Sequence, residues 1–187
     1  MSPKITKAYT KTGDDGTTLA AFGIRGSKGS RAVEAIGAID EASCAIGVVL
    51  SFGNSPYSAA LEHVQQALFN CGCEVYQRRQ RAGPQITHAN ILQLEDYIDD
   101  IQETLQPLEN FILPGGSRMG ALLHSARAAV RRAERTVARL GDIRDQINGK
   151  VHENVGIYLN RLSSFLFVLA RSENRFMGVE DVLWKSS

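Results

Sequence analysis

Hydrophobic positions are sparse over the first thirty residues and then recur with helical spacing almost to the C-terminus. Apolar side chains that return every three or four residues put one stripe on a helix, so the pattern predicts a series of amphipathic helices. Helix one is expected from about Ser30 to Leu50. Asn54-Ser55-Pro56 supplies a stop and a new start with proline near the first turn, and helix two then runs to about Gln80, ended by "RAGP". Thr87 is a candidate N-cap for helix three. Its apolar residues Ile91, Leu94, Ile98, Ile101 and Leu105 alternate steps of three and four, the spacing of a bundle seam, before Pro107 closes the element. "ENFILPGGS" reads as a loop. Helix four is expected from about Ser117 to Leu140 and helix five from about Ile147 to Phe176, with Val151, Val155, Tyr158, Leu162, Phe165 and Leu169 forming a second seam. No segment alternates polar and apolar positions long enough to predict a useful strand. The expected fold is all-α: one domain over 1–187, an up-and-down five-helix bundle over 30–176, an extended arm over 1–29 and a short tail over 177–187.

Composition narrows the function classes. The chain has 187 residues, 43% hydrophobic and 22% charged, which suits one soluble domain with a substantial core. Lys+Arg 21 against Asp+Glu 20 leaves a net charge of +1, so there is no general basic footprint for nucleic acid. Any positive site must be made locally. The longest apolar runs are too short to span a bilayer, and "MSPKITKAYT" lacks the apolar core of a secretion signal; the expectation is a cytoplasmic protein with no membrane partner. The odd number of cysteines argues against a disulfide framework. Cys71 and Cys73 have no second Cys or His cluster at ligand spacing, so all three cysteines read as small packing residues and no metal site is certain.

Local charge is concentrated in two places. In helix four, Met119, Leu122, Ala126, Ala129, Ala133, Val137 and Leu140 share one side. His124, Arg127, Arg131, Glu134 and Arg135 share the other, within about a third of the circumference. Guanidinium groups crowded on one face repel one another unless an anion or an acidic neighbour compensates. The plain alternative is a solvated face with an Arg131–Glu134 pair. Helix five places Asn160, Arg161, Ser164 and Arg171 off its seam, and a mid-helix asparagine either faces solvent or reads a polar ligand edge. The arm holds "YTKTGDDGTT", in which every residue except Gly13 and Gly16 carries a hydroxyl or a charge. Its glycines let backbone N–H groups approach a phosphate, Thr10, Thr12, Thr17 and Thr18 offer hydroxyls, and Lys11 and Lys28 offer charge. Asp14 and Asp15 either hold Mg²⁺ or build the turn. Neither a Walker loop nor a dinucleotide fingerprint is present.

Taken in order, "YTKTGDDGTT" with Lys28, "AVEAIGAIDEA", "LPGGSRMGALLHSARAAVRRAER" and "YLNRLSSFLFVLAR" resemble the signature segments of the propanediol-utilisation-type ATP:cob(I)alamin adenosyltransferases. The resemblance runs from about residue 5 to the C-terminus. It implies a homotrimer with active sites between subunits, in which the 5′-deoxyadenosyl group of ATP passes to cob(I)alamin, giving adenosylcobalamin and triphosphate. Carried over, Thr10, Lys11, Thr12, Gly13, Thr18 and Lys28 match positions that wrap the triphosphate. Arg131, Glu134, Arg135 and Asn160 match nucleotide-binding positions, and Arg127 with Asp40 resembles an inter-subunit salt bridge. Phe111 matches an aromatic that packs on the corrin side and excludes the lower axial ligand. Arg127, Arg131, Asp40 and Phe111 are thereby the residues implied in catalysis. Helix five departs at "NRLSS", with Ser164 where the family has an aspartate. The family also implies ATP, Mg²⁺ and cobalamin as ligands, a flavin-dependent reductase as source of Co(I), and an adenosylcobalamin-dependent acceptor enzyme. Two other classes stay open: a non-catalytic ATP or adenosylcobalamin sensor or delivery protein of the same fold, and a helical oligomer whose arginine face binds a protein.

Overall fold

A computed structural model describes residues 7–19, 25–52, 55–77, 83–148 and 153–185, with backbone only for Gln77 and 141–148. Five helices follow one another: α1 (Arg31–Ser51), α2 (Ser58–Gln77), α3 (His88–Gln102), α4 (Arg118–Asn148) and α5 (Glu153–Phe176). Expectations on Asn54, Gln80, Val151 and the outer ends of the arm and tail fall outside the described residues.

The helix starts follow the capping chemistry in the sequence. The Ser30 hydroxyl accepts from the Val33 N–H and opens α1. Thr87 and Asn90 form a reciprocal capping box at α3. Ser55 organises the entry to α2, its hydroxyl accepting from the Tyr57 N–H at 3.2 Å. The Ser117 hydroxyl accepts from the Gly120 N–H at 3.0 Å at the head of α4.

Two boundaries correct the sequence reading. α4 continues its backbone to Asn148, so the stretch from Ile147 that was assigned to helix five belongs to α4, and α5 begins at Glu153. Gly141 resembles a stop, yet one glycine in a helix interior costs only about 1 kcal/mol. The good helix formers on both sides of it carry the helix through. The all-α expectation also missed a small antiparallel pair in the arm, β1 (Thr17–Leu19) with β2 (Arg25–Ser27), in which Thr18 faces Gly26. Strands of three residues are too short to show alternation.

α5 is the central element. It packs on α4 and α3, α4 packs on α1, and α1 packs on α2. Most of both seams is buried: Ile91, Leu94 and Ile101 on α3, and Val155, Tyr158, Leu162, Phe165 and Leu169 on α5, while Ile98 is half-buried and Leu105 is half-buried beyond the end of α3 at Gln102. Phe165 is fully enclosed and sits between the rings of Tyr57 and Tyr97, at 6.3 and 5.7 Å. The cysteines are free, but they do not all pack: Cys71 is buried, Cys73 is half-buried and Cys44 is exposed on α1. Burial pushes the Cys71 thiol well above its ordinary value. No described helix is long and apolar enough to cross a membrane.

Candidate active site

The arm forms its own polar structure. Thr12 and Thr17 backbone carbonyls both accept from Arg25 Nη2, the latter at 3.2 Å, and Arg25 Nε donates to the Thr17 hydroxyl at 2.9 Å. Lys28 Nζ donates to the Gly13 carbonyl at 2.7 Å, and the Lys28 N–H to the Gly16 carbonyl at 2.9 Å. Lys11 adopts a left-handed φ of 61°, a conformation uncommon for a residue with a β-carbon. A β-carbon at Gly13 would meet the Thr17 carbonyl at 3.0 Å and Lys28 Nζ at 3.1 Å, so the loop closes tightly there. Thr10, Lys11, Thr12, Gly13, Thr18 and Lys28 thus share one compact, largely exposed element.

Of the paired aspartates, Asp15 builds the turn. Its carboxylate accepts from both the hydroxyl and the N–H of Thr17, at 2.7 and 2.9 Å, and faces Arg25 at 3.6 Å. Those hydrogen bonds from Thr17, with Arg25 adding charge, hold its pKa below the usual carboxylate value. Asp15 is a turn residue. No cluster of three or more metal-ligating side chains occurs among the described residues.

On the bundle, Arg127 and Arg131 line a cavity of about 560 Å³ beside Ser163, Ser164, Phe167 and Arg171. Arg127 lies 5.9 Å over the Phe167 ring, and its Nε is buried without a hydrogen-bond partner. Burial, then the neighbouring Arg131 charge, lowers the Arg127 pKa from its ordinary value. One turn earlier, His124 is 3% exposed, and neither ring nitrogen finds a partner. The sequence reading put His124 on the polar face; the structure buries it 6.1 Å from Phe167. Burial and then the Arg127 charge lower its pKa, against an opposing pull from Asp181, so the ring is held neutral.

Glu134 and Asn160 do meet, Asn160 Nδ2 donating to Glu134 Oε1 at 3.0 Å. The Arg131–Glu134 pair of the plain alternative does not form among the described residues. Arg135 opens onto a separate hollow of about 410 Å³ with Glu34, Arg132 and Arg139. Asp40 is exposed on α1 and lines a mainly apolar hollow of about 440 Å³ with Phe69 and Tyr76. Asp40 and Arg127 are therefore not brought together within one chain. Phe111 is 79% exposed on the loop between α3 and α4 and is not part of the 560 Å³ cavity wall. Among the described residues, no hydrogen bond or ion pair joins the arm to α4 or α5.

Several organising residues escaped the sequence reading. Arg25 holds the arm, yet "GIRGS" gave no pattern beyond its glycines. Arg171 was grouped with the off-seam polar residues of helix five, but it is 9% exposed and paired with Asp181 at 2.7 Å. The signal for it was an arginine three residues before an asparagine late in a helix, too common to single out.

Similarity to known proteins decides the family. The cobalamin adenosyltransferase family model matches residues 8–173. The chain belongs to the cobalamin adenosyltransferase family. It is 40% identical to a cobalamin adenosyltransferase of Cupriavidus metallidurans, over 99% of this chain and 97% of that one. It is 39% identical to a corrinoid adenosyltransferase of Bacillus subtilis, over 97% and 93% of the two chains. Among solved structures it resembles a phenylalanine-to-histidine variant of the PduO-type ATP:corrinoid adenosyltransferase from Lactobacillus reuteri complexed with cobalamin and ATP. That match has a TM-score of 0.88 and 32% identity, over 97% of this chain and 98% of that one. This cobalamin adenosyltransferase is accordingly an enzyme of adenosyl transfer from ATP to a corrinoid.

Proposed function

We propose that the enzyme makes adenosylcobalamin from ATP and cob(I)alamin at a site shared between two copies of the chain. The observation that carries this reading is the split of the charged groups. Arg127 is half-buried with its Nε unpartnered, while Asp40 stands exposed on another hollow of the same chain. A second copy that seats its α1 hollow over the arginine face pairs the two, and it covers Phe69, which is otherwise 66% exposed. A closed homotrimer satisfies every copy in this way. The same packing brings the arm of one copy to the α4 face of the next.

In that assembly Thr10, Lys11, Thr12, Gly13, Thr18 and Lys28 wrap the triphosphate, and Arg131 and Arg135 neutralise it from the other side. Glu134 and Asn160, already hydrogen-bonded, receive the nucleoside end. The electron pair of Co(I) forms the cobalt–carbon bond at C5′ as the C5′–O bond breaks and triphosphate leaves. The nucleophile belongs to the corrinoid, so the protein supplies orientation and charge compensation. Mg²⁺ enters with ATP as part of the substrate. Phe111 meets the lower face of the corrin and keeps the axial ligand and water away. A flavin-dependent reductase supplies the Co(I) substrate, an adenosylcobalamin-dependent enzyme takes the product, and the setting is the cytoplasm.

The test is an anaerobic assay with ATP, cobalamin and a chemical reductant, following loss of the Co(I) absorbance and release of triphosphate. Stoichiometric loss of Co(I) with triphosphate release supports transfer. Binding of ATP and corrinoid without turnover makes the protein a sensor or delivery partner instead.

A further inference from the structure

The C-terminal tail folds back along the loop that carries Phe111. The Leu113 N–H donates to the Val182 carbonyl at 2.8 Å and the Trp184 N–H to the Phe111 carbonyl at 2.7 Å, with Ile112 and Leu183 as a bridge pair. Asn110 Nδ2 adds a bond to the Trp184 carbonyl at 2.9 Å. Apolar burial does not hold this clip, because Val182, Leu183 and Trp184 are each at least 40% exposed.

Beyond these backbone bonds, one carboxylate ties the tail to the end of α5. Asp181 Oδ2 accepts from Arg171 Nε at 2.7 Å and Oδ1 from Asn174 Nδ2 at 3.4 Å. Both partners are buried at the end of α5, and each reaches one end of the Phe111 loop. Arg171 Nη2 donates to the Gln106 carbonyl at 2.8 Å. Asn174 Nδ2 donates to the Gly115 carbonyl at 3.2 Å, and its Oδ1 accepts from the N–H and hydroxyl of Ser117 at 2.9 Å each. The fit around Asn174 is close: a β-carbon on Gly116 or Gly120 would lie 2.3 or 2.0 Å from its side chain, and Gly116 has a φ of +97°. Arg171 also lines the cavity that holds Arg127 and Arg131.

We propose that Asp181 is a positioning residue that clamps the tail onto the Phe111 loop and so fixes where Phe111 stands against the corrinoid. The assignment rests on the functional reading above, in which Phe111 meets the lower face of the corrin. Asp181 itself touches no substrate. Its carboxylate neutralises Arg171 and engages Asn174, which spans the loop and the head of α4.

The test uses the full chain with Asp181→Ala and Asp181→Asn, each checked for helix content by circular dichroism. Trp184 is the single tryptophan and lies in the tail, so its emission reads the clamp without any assay of activity. Asp181→Ala shifts the emission to the red and raises its quenching by acrylamide. Activity is then measured with cobalamin and with cobinamide, a corrinoid that has no nucleotide loop to displace. With Asp181→Ala, kcat/KM for cobalamin falls by roughly tenfold or more. The KM for ATP and the turnover of cobinamide stay near the parent values, and Asp181→Asn, which keeps an acceptor for Arg171, falls between. Unchanged Trp184 emission in Asp181→Ala overturns the clamp. A released tail with unaltered cobalamin kinetics, or equal losses with both corrinoids, overturns the positioning role. A parent enzyme inactive toward both corrinoids sinks the functional reading instead, and the fluorescence still decides whether Asp181 holds the tail. If Asp181→Ala does not fold, the Asn variant carries the same readouts.

Discussion

The arm and the bundle of this one chain are held together by opposite means. In the bundle, α5 is enclosed by apolar side chains, with Phe165, Leu162, Leu166 and Leu169 removed from water. In the arm, exposed side chains of Arg25, Lys28 and Asp15 hold backbone groups in place, and Leu19 is 56% exposed. Hydrophobic burial is strong and non-directional, whereas exposed hydrogen bonds add little net stability but fix direction. The bundle is therefore a stable support, and the arm is a shaped polar surface that a ligand can remodel at small cost.

The largest effect lies in the core. Phe165→Ala removes a fully buried ring and costs about 3–5 kcal/mol of folding stability, read by denaturant unfolding. A loss below one kcal/mol would show that the core is not centred there. Next is the contact proposed between copies. Asp40→Asn weakens subunit association by about 2–3 kcal/mol, seen as dissociation at higher protein concentration in sedimentation, with helix content intact. An oligomer and rate equal to the parent's would remove the Asp40–Arg127 pairing.

The arginine face separates binding from stability. Arg131→Ala lowers ATP affinity by about 1.5–3 kcal/mol in titration calorimetry while the melting temperature holds. ATP binding equal to the parent's counts decisively against that face. Arg25→Ala is smaller, with about 0.5–1.5 kcal/mol lost from ATP binding and no change in bundle melting. If it melts the bundle instead, arm and bundle are one cooperative unit and the contrast fails.

The smallest effect concerns pH. His124 is buried neutral, with its pKa lowered below 6.5 by burial and by Arg127. A depressed histidine contributes stability above its unfolded pKa that is lost as pH falls through the folded one. Stability should thus decline as pH drops below about 6.5, before the carboxylates titrate. His124→Leu removes that decline and leaves stability at pH 7 equal or slightly higher. An identical acid slope in the variant assigns the decline to another group.

The sequence made the bundle legible because seam positions such as Ile91–Leu94–Ile98 on α3 repeat a physical period, and because Ser30, Thr87 and Ser117 cap helices by local chemistry. It made Glu134 and Asn160 legible as polar residues off the apolar sides of their helices, and only the family resemblance grouped them; the structure bonds the two. It did not reveal that Arg171 is buried, since its partner Asp181 lies beyond the helix in a segment without periodicity. His124 was misplaced for a related reason. Angular position on α4 says which residues share a side, but Phe167 and the start of the tail decide which part of that side is covered. The strands of the arm were invisible because three residues are too few to show alternation, and Arg25 binds Thr17 through its side chain, which leaves no periodic signal.

The bond from Lys28 to the Gly13 carbonyl has a consequence for any measured nucleotide affinity. The ammonium is occupied by a tethered acceptor at high effective concentration, so the arm carries an intramolecular competitor. An anion that engages Lys28 exchanges one contact for another, and its observed dissociation constant reports the difference. Loosening the loop at Gly13 would therefore raise the intrinsic availability of the cation even as it spoils the shape around it.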